Sequence, residues 1–384
     1  MSDDAPVMVA AGTVRAQIEA IFRGWGMAEE WIGPTVDVMV DTDLAGVDSH
    51  GIAMLPLYDH IRRHGGLNMT PAPRIVAETP ATALFDADRG LGHAISVRAM
   101  SLAVEKAKAV GIGAVSVRNS HHFGAAGAYP MIAAKAGLVG FASTNALSSI
   151  MVPTRAKKTF FATNPLAFAV PARRNPPFVL DMSTTTGAVG KVKIAWYAGK
   201  LLPEGWLVDP DGHPIRDPEE ALGELTPQDG AENPQHTRVG RGRMSPGYGI
   251  TPLGGKPDTA SHKGYGLGAM VEVLSSILSG ASFAGDPRGR PKLGQGEDIG
   301  HFFLAIDPAA FREADAFLAD VDAMIDALHA LPPADPAEPV LVPGDPERLN
   351  REERLKTGIP VPRKLLDQLR DVCAASNAPY MVEG

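Results

Sequence analysis

Ile95 through Gly124 read ISVRAMSLAVEKAKAVGIGAVSVRNSHHFG, and the pattern changes period once inside that stretch. Ile95, Ala99, Met100, Ala103, Val104 and Ala107 recur at the three- and four-residue spacing of one helical face. Gly111 stops the pattern. From Gly113 to Asn119 apolar and polar residues then alternate, as along a half-buried strand. A helix running straight into a strand argues for α and β elements sharing one domain.

Working outward, Thr13 precedes Val14, Ile18, Ile21 and Phe22, a capped helical pattern. A second helical stretch covers 28–44, with Trp31, Val36, Met39 and Val40. Leu138 to Ser143 and Phe178 to Met182 are further strand candidates. Leu267, Met270, Val271, Leu274, Ile277 and Leu278 form a long apolar helical face, ended by Gly280. Phe311 to Leu331 is helical again, with Phe317, Leu318, Val321 and Ile325. Pro332 to Pro346 holds six prolines and reads as an extended connection before a last helix over 364–375. Residues 226–250 are rich in Gly, Pro and polar groups and read as a surface loop. No internal repeat is present. The expected fold is α+β: a helical domain from 1–70 with 305–384, and an α+β domain over 71–304.

The length of 384 residues suits two or three domains. Apolar content of 45% and charged content of 21% are ordinary for a globular chain, which at this size needs no disulfide or metal to fold. A net charge of −8 argues against a general nucleic-acid binder. One cysteine, Cys373, excludes an internal disulfide framework and a multi-cysteine zinc site. The start, Met1-Ser2-Asp3-Asp4, is acidic where a secretory signal is basic, so the cytoplasm is the expected location. The uncharged stretch 136–154 is long enough to span a membrane. Ser143, Thr144, Asn145, Ser148, Ser149 and Pro153 make it a buried core segment instead.

Polar clusters punctuate this framework. Asp48-Ser49-His50-Gly51 offers a histidine that titrates near neutrality beside groups able to fix its tautomer; the same residues also suit a helix cap or turn. Asn119-Ser-His-His-Phe-Gly124 leaves a strand end, where ligand loops concentrate, although one histidine can cap and the other pack. Thr163-Asn164-Pro165 presents a hydroxyl and an amide, or is a plain turn. Asp181 through Thr186 carries hydroxyls suited to a ribose, a phosphate or a helix cap. At Ser261-His262-Lys263-Gly264 a cation and a helix N-terminus can clamp a phosphate, or Lys263 is simply solvated. No Walker-type glycine loop and no His-Glu-x-x-His spacing occurs. The glycines from Gly264 to Gly268 lack the preceding strand of a Rossmann fingerprint and read better as close helix packing.

Taken in order, these segments carry a resemblance. Asp48-Ser-His-Gly51 with Pro56-Leu-Tyr58, Asn119 through Gly124, Thr163-Asn-Pro165, Asp181-Met-Ser183, Pro203-x-Gly-Trp206 and His262-Lys-Gly-Tyr-Gly-Leu267 recur with Ala305-Ile-Asp-Pro308. The chain resembles the malate/L-lactate dehydrogenase type 2 family of NAD(P)-dependent oxidoreductases over roughly residues 10–370. That family includes ureidoglycolate and sulfolactate dehydrogenases and Δ1-piperideine-2-carboxylate reductases. The resemblance implies a non-Rossmann NAD(P)-binding domain with a mixed, largely antiparallel sheet, a homodimer and no metal. It implies His50 as the proton donor, with Ser49 and Asp48 in its relay, and Thr163 and His122 facing substrate. Cofactor contacts would come from His122, Phe123, Gly124, Ala125 and Ala126, then Leu180, Asp181, Met182, Ser183 and Thr184. His262, Lys263 and Gly264 would add to these, with Gly344 and Asp345 of a Pro-Gly-acid loop in which glutamate is commoner. NAD and NADP are not separated.

Departures from the family pattern bear on the substrate. Met54 stands where the family commonly has an arginine, a candidate partner for the substrate carboxylate, and a thioether cannot replace a guanidinium fork. Arg155 stands where glycine is commoner, as does Ala162. Either Arg155 or a residue of a partner subunit holds the acid, or the substrate differs. The expected reaction is hydride transfer between nicotinamide and the α-carbon of a small 2-hydroxy or 2-oxo acid. The alternatives are reduction of a cyclic imino acid and a non-catalytic nucleotide-binding homologue.

Overall fold

The period change at Gly111 is a helix, Gly92–Val110, running into a strand, Ile112–Ser120, in the computed structural model, which describes residues 5–146, 149–197, 199–224, 241–288 and 297–382. Ile95, Ala99, Met100, Ala103 and Ala107 are buried on one helix face, and Val115 and Val117 on the strand. Burying each large aliphatic side chain contributes on the order of 2 kcal/mol. Gly113 is required by this contact, because a Cβ there would lie 2.0 Å from the Ala103 carbonyl oxygen.

The strand sits within a seven-stranded sheet. The order is Arg74–Glu78, Thr82–Asp86, Ile112–Ser120, Ile299–Ile306, Val139–Thr144, Leu166–Val170 and Phe178–Met182. Thr82–Asp86 and Ile112–Ser120 run parallel across the helical crossover, while Ile299–Ile306 is antiparallel to Ile112–Ser120. The sheet is mixed and largely antiparallel, as expected.

The chain divides into two compact units. The first is Met1–Ser143, Ala167–Asp181 and Pro291–Gly384; the second is Thr144–Leu166 and Met182–Arg290. Residues 1–70 and 305–384 both fall in the first unit, together with the large sheet. Its two chain ends pair directly, Val7–Val9 antiparallel to Ile359–Val361. The helix expected after Thr13 spans Ala11–Gly24 with Ala10 at the cap position, so Thr13 is an interior residue and not the cap. The proline-rich connection runs only to Gly344, where Asp345 and Pro346 open a further helix, Asp345–Thr357. Proline is well placed there, since the first helical turn needs no donor from it.

The second unit has its own core of Val192, Leu202, Leu207, Ala221, Leu222 and Ile250 around a three-stranded sheet. Its helix His262–Glu272 continues into a π-helical turn, Val273–Ile277. Of the expected apolar face of that helix, Met270, Ile277 and Leu278 are exposed, as is Val273 beside them, and only Val271 is deeply buried. Gly264, Gly268, Ser275, Ser276 and Ser279 face inward instead. Of the loop expected over 226–250, residues 226–240 lie outside the described residues, while 241–244 and 249–250 are strands. Among the described residues no helix is long and apolar enough to cross a membrane.

Candidate active site

In the first unit the segment after Glu29–Leu44 turns at 45–51 and re-enters a helix, Leu55–Arg63. That turn carries Ser49 and His50, whose Oγ and Nδ1 are 2.7 Å apart. With Nδ1 engaged, Nε2 is the nitrogen left for a reacting group. Asp43 holds the turn in shape by accepting the Ile52 N–H at 2.8 Å. Only glycine fits at 51, because a Cβ would meet the Asp43 carboxylate at 1.9 Å. Burial, its largest influence, pushes the Asp43 pKa up to about 7. Both Asp48 carboxylate oxygens meet the Arg354 guanidinium.

The loop after Ile112–Ser120 brings His122 beside His50, with ring centroids 5.4 Å apart. The histidines of 121–122 therefore lie in a loop, followed by a 3-10 turn at Ala126–Ala128 and an α-helix, Pro130–Lys135. Tyr58 meets His122 Nδ1 at 2.6 Å. His93, at the start of Gly92–Val110, packs edge-on against Tyr58, its centroid 5.9 Å away. His301 stacks on Phe123 at 4.7 Å and bonds Ser120 through Nε2 at 2.9 Å. Burial holds His50, His121 and His122 below the usual histidine range. For His93 and His301 it drives the pKa down to about 3. Loss of solvation thus favours the neutral imidazole throughout the cluster. Among the described residues it does not gather three ligands suited to a metal ion.

Phe123 is buried, so this side chain serves the core, and its carbonyl accepts the Tyr129 hydroxyl. Gly124 adopts φ +77, and a Cβ there would press on His93 Nε2 at 2.8 Å. Ala126 is buried. Ala125, Gly127, Val179, Asp181 and Gly344 line an open cavity of about 390 Å³, with Lys135, Glu347 and Arg348 also in its wall. Leu180 and Asp181 belong to the strand Phe178–Met182. One Asp181 carboxylate oxygen accepts the Gly127 N–H at 2.7 Å. Desolvation of the group, its largest influence, raises its pKa to about 6. This wall fits part of a dinucleotide: a carboxylate able to take ribose hydroxyls, glycines that allow close approach, and cations that can meet phosphate charge. Asp345 itself accepts from Val342 N–H and His329 at 2.9 and 2.7 Å, and from Arg348. Burial raises its pKa, but these partners outweigh that and leave it below the usual carboxylate range. Asp345 braces the loop, and Gly344 is the member that reaches the cavity.

In the second unit, Thr184 ties the predicted segments together. Its hydroxyl donates to the carbonyls of Thr163 and Asn164 at 3.0 and 3.1 Å, and its carbonyl accepts the Leu253 N–H. Leu253 in turn accepts the Gly264 N–H. A Cβ at Gly264 would lie 2.3 Å from Leu253 N, so the glycine serves close packing here. Met182 and Ser183 lead into this knot, and the Ser183 hydroxyl donates to the Thr185 carbonyl at 3.2 Å. His262 and Lys263 are exposed in the first turn of His262–Glu272, beside Ser261, whose side chain makes no cap. Arg155 adopts φ +69, a conformation that explains why glycine suits the position. It lines a cleft with Thr154, Thr251 and Ser261. Met54, in the first unit, packs against the hydrophobic core.

Sequence reading did not single out His93 or His301 and gave Tyr58 no role. The available signal was a lone histidine among Leu91, Ala94 and Ile95, on an otherwise apolar helix start. The malate/L-lactate dehydrogenase family model matches residues 9–370. The chain is 35% identical over 348 residues to a malate dehydrogenase of Pyrococcus horikoshii, covering 90% of this chain and 89% of that protein. It is 36% identical over 353 residues to an L-sulfolactate dehydrogenase of Methanocaldococcus jannaschii, covering 92% of each. The crystal structure of malate dehydrogenase from Entamoeba histolytica superposes with a TM-score of 0.86 at 29% identity, over 97% of this chain and 99% of that one. The chain belongs to the malate/L-lactate dehydrogenase family of NAD(P)-dependent oxidoreductases.

Proposed function

We propose that the protein interconverts a small 2-hydroxy acid and its 2-oxo acid, with His50 giving the proton in the reducing direction and taking it back in oxidation. The observation that carries this reading is the Ser49–His50 pair, with Nδ1 tied at 2.7 Å and Nε2 left for substrate oxygen. Nicotinamide, when bound, supplies or accepts the hydride. His50 stands among neutral, buried histidines, so no neighbouring imidazolium competes to protonate the substrate. Ser49 holds the ring so that one nitrogen faces the reaction in both directions. The resemblance assigns Thr163 and His122 to substrate, and it assigns 122–126, 180–184, 262–264 and 344–345 to the cofactor. Met54 offers the carboxylate no charge, so acid recognition falls to hydrogen-bond donors or another cation.

The homodimer implied by the family fits the outward stripe of Met270, Val273, Ile277 and Leu278, which a second copy would cover. The direct test of the reaction is oxidation of NADH and of NADPH with pyruvate, oxaloacetate, 3-sulfopyruvate and piperideine-2-carboxylate. Turnover of an open-chain 2-oxo acid supports the proposal, and the better cofactor settles NAD against NADP. Activity confined to the cyclic imine moves the protein to imine reduction. Cofactor binding without turnover of any of these acids counts against the reading.

A further inference from the structure

Two groups converge on one nitrogen of His122. The Tyr58 hydroxyl lies 2.6 Å from Nδ1, and the Gly124 N–H points at the same atom from 3.4 Å. A backbone N–H can only donate, so Nδ1 is an acceptor and carries no proton. Tyr58, fully buried on Leu55–Arg63, must then donate as well. The ring proton therefore sits on Nε2, which makes no hydrogen bond to the described residues and is not sealed from solvent.

We propose that Tyr58 is a positioning residue that locks His122 in its Nε2-protonated tautomer, so that His122 offers the substrate acid a neutral hydrogen-bond donor. The inference rests on the reading that His122 touches substrate. It gives two adjacent histidines different chemistry. His50 has a nitrogen free to give and take a proton. His122, only 5.4 Å away between ring centroids, presents an N–H and has no outward lone pair to take that proton. The lock also supplies a donor toward the carboxylate or carbonyl oxygen in a chain whose Met54 brings none. Packing holds the lock in place: His93 lies edge-on against the Tyr58 ring, and its Nε2 would lie 2.8 Å from a Cβ at position 124, so Gly124 lets the loop pass close beside it.

The first test is nitrogen NMR of the wild-type protein with labelled histidine at neutral pH. His122 is expected to show a protonated Nε2 and a bare Nδ1; a protonated Nδ1 overturns the proposal whatever any variant does. In Tyr58→Phe the ring is expected to shift toward the Nδ1-protonated form. KM for the 2-oxo acid should rise about tenfold while kcat and cofactor affinity change little, because a uniform substrate contact is lost. In a His122→Gln background the amide donates regardless of Tyr58, so Tyr58→Phe should raise KM further by no more than about twofold. An equal rise in both backgrounds means that Tyr58 is merely structural and overturns the proposal. If His122→Ala leaves KM unchanged while the wild-type tautomer is as expected, the substrate contact fails and the lock has no role in binding.

Discussion

His50 is buried enough to sit below the usual histidine pKa, and that shift sets a direction for catalysis. In reduction the working form is protonated, so kcat/KM should climb as pH falls toward a midpoint below the ordinary value. In oxidation the working form is neutral, and the rate should hold steady above that midpoint and drop beneath it. Matched pH profiles in the two directions check this; profiles that bend the same way contradict it. Asp43 makes a separate, structural prediction. Its carboxyl is raised from 3.8 to about 7 by burial, so the native state favours the protonated form. That contribution is complete below the unfolded value and is lost as pH rises through the folded one. Asp43→Asn keeps an acceptor for the Ile52 N–H without the titration. Its stability relative to wild type, measured by chemical denaturation, should increase across that window by on the order of 4 kcal/mol. A pH-independent difference would show that Asp43 ionises freely.

Among the elements, those with strong periodicity were readable and those held by charge were not. Gly92–Val110 and Ile112–Ser120 announce themselves because one face of each is apolar. Asp345–Thr357 has almost no apolar face and is anchored by Arg351 to Asp41 and by Arg354 to Asp48, contacts no local pattern reveals. His262–Glu272 was legible as a helix, but its buried side was not, because small residues approach closely while larger ones face out. Buried Glu272 explains part of that choice. Its carboxylate accepts Asn164 Nδ2 at 2.6 Å, Asn145 Nδ2 at 3.4 Å and the Ala284 N–H at 2.9 Å. Glu272→Gln turns an amide N–H₂ against one of these donors and should cost about 2 kcal/mol. Calorimetry should find the melting transition lowered by about 5 °C. An unchanged transition would mean the network carries no net stability.

At the level of the whole molecule, the family was legible because its motifs recur in a fixed order, whereas the site was legible only in pieces. His50 and His122 were readable as polar clusters, yet their meeting at 5.4 Å, with Tyr58 and His93 around them, joins segments far apart in the chain. Pairing of the chain ends was equally invisible, since Val7–Val9 and Ile359–Val361 are too short to signal a sheet. The proposed dimer places the outward stripe at its interface. Light scattering should give a dimer for the wild type, and Leu278→Glu should shift it toward monomer; a monomeric wild type would refute the assignment. Proton transfer by His50 is checked by steady-state turnover of His50→Ala with a 2-oxo acid, measured beside cofactor affinity. A loss in kcat of about a thousandfold is expected, with cofactor Kd within about twofold of wild type. Turnover retained within about tenfold of wild type would contradict it.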